Sequence, residues 1–239
     1  MDTLASLWRV LPWPDWVALA LFFVAWVGYA RFAHRRATTK PSLLALTNRE
    51  RTRWMLQATW RDTRVIDGSV VQTLSASPSF FASTTILIIG GLLAVLSTTD
   101  KASDLVREIP FAARTSMLVF DLKVVLLMAI FVYAFFRFTW SLRQYGFGAL
   151  LLGAAPLPER YTDEALRTAF ASRAGRVMGL AAEAFNDGLR AYYMSFAAVA
   201  WFSSPWALMA GTAGVIFVLY RREFHSDVLA VLAADGTGP

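Results

Sequence analysis

The stretch FFASTTILIIGGLLAVLS, about Phe80 to Ser97, contains no ionisable side chain. A helix needs about 20 mainly apolar residues to cross a hydrocarbon core of roughly 30 Å. Inside that core the backbone must satisfy its own hydrogen bonds, so a run of this length reads as a spanning helix. Three further runs share its character: WPDWVALALFFVAWVGYARF at about 13–32, LVFDLKVVLLMAIFVYAFFRFTW at about 118–140, and SFAAVAWFSSPWALMAGTAGVIFVLY at about 195–220. The expected fold is all-α: an integral membrane protein with four transmembrane helices and two cytoplasmic helical extensions, in a single membrane domain over 1–239.

Composition supports that class. Apolar residues make up 56% and charged residues 17%, against about 45–50% and 25% in soluble domains. A net charge of +6 invites a nucleic-acid reading, but Lys and Arg also gather in cytoplasmic loops beside anionic lipid. The second explanation is preferred, with no nucleic-acid partner.

The basic residues also set orientation. Fourteen Lys and Arg lie in the two long loops, 33–79 and 139–194, against six on the other side. The long loops are therefore placed in the cytoplasm of a bacterial inner membrane, and the N-terminus outside. MDTLASLW lacks a basic start and ARFAHRR resembles a stop-transfer signal, so the first run reads as an uncleaved anchor, flanked by Trp8, Trp13 and Trp16. YRREF (Tyr220 to Phe224) then falls on the outer side, unless the fourth span is re-entrant or broken.

Both long loops read as helices rather than linkers, over about 47–77 and 162–194. In the first, Arg49, Arg53, Arg61 and Arg64 share an arc of about 120° at 100° per residue, a face for anionic headgroups of the cytoplasmic leaflet or an acidic partner. Ser77-Pro78 is expected to break this helix before the second span. In the second, Thr162 is the expected N-cap, and Gly175 and Gly179 loosen the helix. Arg176, Glu183, Asn186, Asp187 and Arg190 lie together on it. Glu183 and Asp187 are either a partial cation site or partners of neighbouring arginines that tie the loop helices together; the latter is preferred. QYGFGALLLGAAP (Gln144 to Pro156) reads as an interfacial or re-entrant piece. Pro205 is expected to kink the fourth span, and Ser103 to cap a short external connector over 99–116.

Asp121 and Lys123, near the outer end of the third span, are the intramembrane ionisable candidates. Interfacial anchoring by snorkelling is weighed against a pore or proton route. Gly90 and Gly91, like Gly211 and Gly214, would allow close helix approach.

For enzymes the gaps carry the argument. The absence of cysteine excludes disulfides, a thiol nucleophile, iron–sulfur clusters and Cys-based zinc sites. His34 and His225 are far apart, no HExxH, GxSxG, P-loop or Rossmann pattern occurs, and no catalytic residue, metal or cofactor is expected.

Four pieces in order, NRERTRW (Asn48 to Trp54), VVQTLSASPSFFASTT (Val70 to Thr85), FTWSLRQYGFGALLLGAAP (Phe138 to Pro156) and GLRAYYMSFAAVAWFSSPW (Gly188 to Trp206), resemble the bacterial and plant membrane family known as domain of unknown function 599 (DUF599). The resemblance runs from about Asn48 to Phe224. It implies a multi-pass membrane protein and carries no catalytic or ligand-binding residue. Two functions stay open: a structural component that self-associates or joins a larger complex, which is preferred, and an oligomeric channel or transporter for a small ion or solute.

Overall fold

The computed structural model describes residues 11–36, 42–98 and 116–234. Trp8, Ser103 and almost all of the external connector lie outside them. The described elements are α1 (Trp13–Arg36), α2 (Leu43–Ala58), α3 (Val65–Ser97), α4 (Met117–Gly153), a single 3₁₀ turn (Pro158–Arg160), α5 (Glu164–Ala200), α6 (Pro205–Phe224) and α7 (Asp227–Ala234). Three of these, over Trp13–Ala33, Val65–Ser97 and Met117–Gly153, are long and apolar enough to cross a membrane.

The chain divides into two compact units. The first is built from the described parts of Met1–His34, Thr84–Ala134 and Leu189–Tyr220. Trp26 meets Tyr133 edge to face, Phe131 meets Tyr192, and Phe120 meets Phe202. Asp15 bonds Trp201 at one end of α1, and Phe32 stacks near Tyr220 toward the other. Hence α6 runs parallel to α1. Arg190 of α5 sits over Tyr29 while Trp201, just past the end of α5, reaches Asp15, so α5 runs antiparallel to both.

This overturns the single kinked span expected at 195–220. The helix ends at Ala200, a tight turn covers 201–204, and a new helix starts at Pro205. Ser204 is its cap: its Oγ accepts from the Ala207 N–H at 3.0 Å, and Pro205 occupies the first position, where a missing N–H costs nothing.

The second unit comprises the described parts of Arg35–Ser83, Phe135–Gly188 and Arg221–Pro239. Met55, Ala58, Val71, Tyr145, Leu152 and Met178 belong to its core. Leu44 donates its N–H to Glu223, and α7 packs on α2. YRREF therefore lies with the first long loop, not opposite it.

Two further expectations fail here. The first extension breaks at 59–64, not at Pro78, which lies inside the continuous helix α3. The break is held by one local and one distant cation: Arg64 Nε donates to the Ala58 carbonyl at 3.2 Å, and Arg167 Nη1 to the Thr59 carbonyl at 2.6 Å. Helix-end carbonyls need such partners, and positive charge suits that end of the dipole. QYGFGALLLGAAP is not re-entrant; α4 continues through Gly153, with Leu152 buried in the second core.

In α5, Asp163 rather than Thr162 caps the start, accepting from the Leu166 N–H at 2.8 Å. Helix α5 is unbroken at Gly175 and Gly179; these glycines instead admit α2. A Cβ at Gly175 would lie 2.7 Å from the Thr52 Cα, and one at Gly179 3.1 Å from Asn48. Gly146, by contrast, has open space. Gly175→Ala is expected to destabilise by about 1–3 kcal/mol through overpacking, whereas Gly146→Ala should stabilise by up to about 1 kcal/mol. Unfolding of both variants in mixed micelles measures the difference; equal effects would refute the close α2–α5 crossing.

Candidate functional site

The polar side chains of the second unit gather where α2 crosses α5. Glu183 accepts from Arg176 Nη1 at 2.6 Å and from Asn48 Nδ2 at 3.3 Å. Arg51 donates to Asn48 Oδ1 at 2.8 Å and to Thr47 Oγ1 at 3.1 Å. Burial pulls the Arg51 guanidinium below its ordinary range, while the nearby Tyr145 and Glu183 hold it up. A cleft of about 220 Å³ opens beside the cluster, lined by Asn48, Thr52, Ser172, Gly175, Arg176 and Gly179.

A second cluster closes the α2–α3 break. Asp67 is fully buried and accepts from Trp54 Nε1 at 2.7 Å and from Arg61. Arg64 Nη1 also donates to the Ala155 carbonyl at 3.0 Å. Arg167, 6% exposed, binds the Thr59 carbonyl and, through Nη2, the Pro158 carbonyl at 2.7 Å. Its guanidinium lies 3.6 Å from the Trp60 ring centroid and 4.8 Å from that of Tyr161.

Among the described residues of the first unit, a buried cluster joins two ionic side chains through Trp201. Lys123 Nζ donates to the Trp201 carbonyl at 2.9 Å, and the Trp201 indole donates to Asp15 Oδ1 at 2.6 Å. Lys123, Asp15 and Trp201 are all buried, and Asp15 acts electrostatically on Lys123. Nearby, Thr85 and the Tyr192 hydroxyl share a hydrogen bond of 2.7 Å.

These positions redistribute the residues singled out from sequence. The four-arginine arc does not exist, because the break at 59–64 puts Arg61 and Arg64 outside α2. Arg61 and Arg64 make internal bonds, Arg53 forms an exposed pair with Glu50 at 2.7 Å, and Arg49 is exposed. Such an exposed pair contributes about 0–1 kcal/mol. Glu183 joins Arg176 and α2, as the tying reading expected, but Asp187 pairs with Arg137 instead. Asn186 is half-buried between them in sequence, and Arg190 belongs to the first unit, over Tyr29. Asp121 is half-buried. Lys123 does not snorkel; its charge is satisfied inside the bundle. Among the described residues, no group of three His, Asp or Glu is placed to hold a metal.

Sequence reasoning missed Arg167, Asp67 and the part played by Asp15, which looked like a helix-dipole partner only. One signal was legible: GRVMG, Gly175 to Gly179, is a GxxxG spacing of the kind that lets helices approach. Nothing local marks Arg167.

A family model described as "Protein of unknown function, DUF599" matches residues 17–228. No curated protein and no solved structure matches the chain.

Proposed function

The chain belongs to the DUF599 family of proteins of unknown function, and from that premise we propose that it is a multi-pass inner-membrane protein acting as a structural, complex-forming component rather than a catalyst. Its long loops lie in the cytoplasm and its N-terminus outside. The observation that carries this reading is the uncovered face of α3. Only 11% of its most apolar window is buried, against 44% for α4. Ser83, Leu87, Gly90, Gly91 and Ala94 are all exposed on it, and a Cβ at Gly90 or Gly91 would meet nothing within 4 Å. Small residues on a lipid-facing helix let a second helix come close, which is how association proceeds where lipid removes the hydrophobic driving force.

The channel alternative needs Asp121 and Lys123 to line a path. Lys123 is instead sealed by Trp201, and Thr85 by Tyr192, which favours packing roles for both. Of the arginines suggested for anionic lipid, Arg49 and Arg53 remain turned outward.

The chain has no cysteine, so single cysteines test the proposal in native membranes. Gly90→Cys and Ala94→Cys are expected to give oxidised dimers or defined adducts to a partner, and exposed Val125→Cys on α4 none. Uniform crosslinking at all three positions, or none at any, would sink the reading.

A further inference from the structure

Within the first unit, α1 and α6 leave between them a groove of about 730 Å³. Leu21, Gly28 and Phe32 line it from α1, and Thr212, Phe217 and Tyr220 from α6. Its walls are apolar almost throughout, and a side chain at Gly28 would find open space. From Leu21 to Phe32 the groove runs about 16 Å at 1.5 Å per residue. That is about half of a 30 Å hydrocarbon core, the depth of one leaflet.

The two ends of the groove differ in charge. At the Phe32–Tyr220 end, Arg190 lies over Tyr29, which also lines the groove, and exposed Arg31 precedes Phe32 on α1. An apolar slot one leaflet deep with cations at one mouth is complementary to an anionic amphiphile. Among the described residues the opposite mouth has no such concentration: the nearby Asp15 and Lys123 are buried and engaged with Trp201.

We infer that this groove is a binding site for an anionic phospholipid, one acyl chain lying between α1 and α6 with the phosphate at Arg31 and Arg190. The inference rests on the chain spanning a membrane, and is distinct from the self-association face on α3. A lipid held here would fill the space between two helices that the chain leaves open, with van der Waals contact on both sides of the acyl chain.

The test is native mass spectrometry of the full chain in micelles supplied with phosphatidylglycerol or phosphatidylcholine. The wild type is expected to retain one phosphatidylglycerol after delipidation and to prefer it over phosphatidylcholine. Gly28→Leu, which fills the groove, should weaken retention of phosphatidylglycerol about tenfold, since the acyl chain loses its van der Waals contacts with both helices. Arg31→Gln keeps the groove and should cut the preference for the anionic lipid about fivefold; it decides the matter if Gly28→Leu fails to fold. Equal retention of the two lipids by the wild type would overturn the proposal. So would unaltered phosphatidylglycerol retention in folded Gly28→Leu, or disulfide-linked dimers of Gly28→Cys showing a second copy in the groove. Release of the chain from membranes by alkaline carbonate would instead refute the membrane reading beneath it.

Discussion

Asp15→Leu is expected to destabilise the protein by about 2–4 kcal/mol, because the Trp201 indole loses its acceptor and the buried Lys123 loses a nearby opposite charge, at about 1–3 kcal/mol for each buried group left short of a partner. Lys123 is 2% exposed and, among the described residues, keeps a neutral carbonyl and the Trp201 and Phe202 rings once the carboxylate has gone. The Trp201 indole loses its acceptor at the same time, so two buried donors suffer from one change. Lys123→Met should cost a comparable amount, leaving the Trp201 carbonyl without its donor and Asp15 without a nearby cation. The double variant Asp15→Leu/Lys123→Met is expected to recover part of the loss, because removing both charges leaves no buried ion without its opposite, while the Trp201 indole and carbonyl still lack their partners. A double-mutant cycle of unfolding in mixed micelles reads the coupling. Additive single effects would show that Asp15 and Lys123 act independently. Proton flux altered by Lys123→Met at unchanged stability would revive the transport reading.

The apolar runs were legible because a helix long and apolar enough to cross a membrane announces itself by length alone: α1, α3 and α4 contain Trp13–Phe32, Phe80–Ser97 and Leu118–Trp140. What failed were the ends, for three separate reasons. Pro78 looked like a stop, yet a proline removes a single helical hydrogen bond and can be accommodated as a kink, and α3 runs through it. At 59–64 no proline or glycine marks a break, and the cations that hold it come from Arg64 and from Arg167, more than a hundred residues away. In the fourth run, SSPW contains both a cap and a first-position proline, a start signal that was read as a kink. The α2–α5 seam was half visible. Glu183 and Arg176 share a helix face that periodicity can display, whereas Asn48, Arg51 and Tyr145 meet it only through tertiary packing.

Arg167→Ala is expected to cost about 4 kcal/mol, from lost charge-assisted bonds and cation–π contact that are only partly replaced by water. The planar guanidinium is the reason. One nitrogen reaches the Thr59 carbonyl at the end of α2, the other reaches Pro158 before α5, and the plane lies over Trp60. Arg167→Lys should recover less than half of the loss, since a point ammonium cannot span both carbonyls. Hydrogen exchange separates this role from general packing. In Arg167→Ala the amides of 59–64 and 157–161 should exchange faster together, because one side chain closes both turns, while the Gly175–Thr52 crossing keeps its protection. Accelerated exchange at only one turn would mean the two are fixed independently. Uniform loss along α2 and α5 would mean that Arg167 holds the whole second core rather than the turn. The first outcome fits a chain whose α2 is held in place by α5 at both ends, by Arg167 at Thr59 and by Glu183 at Asn48.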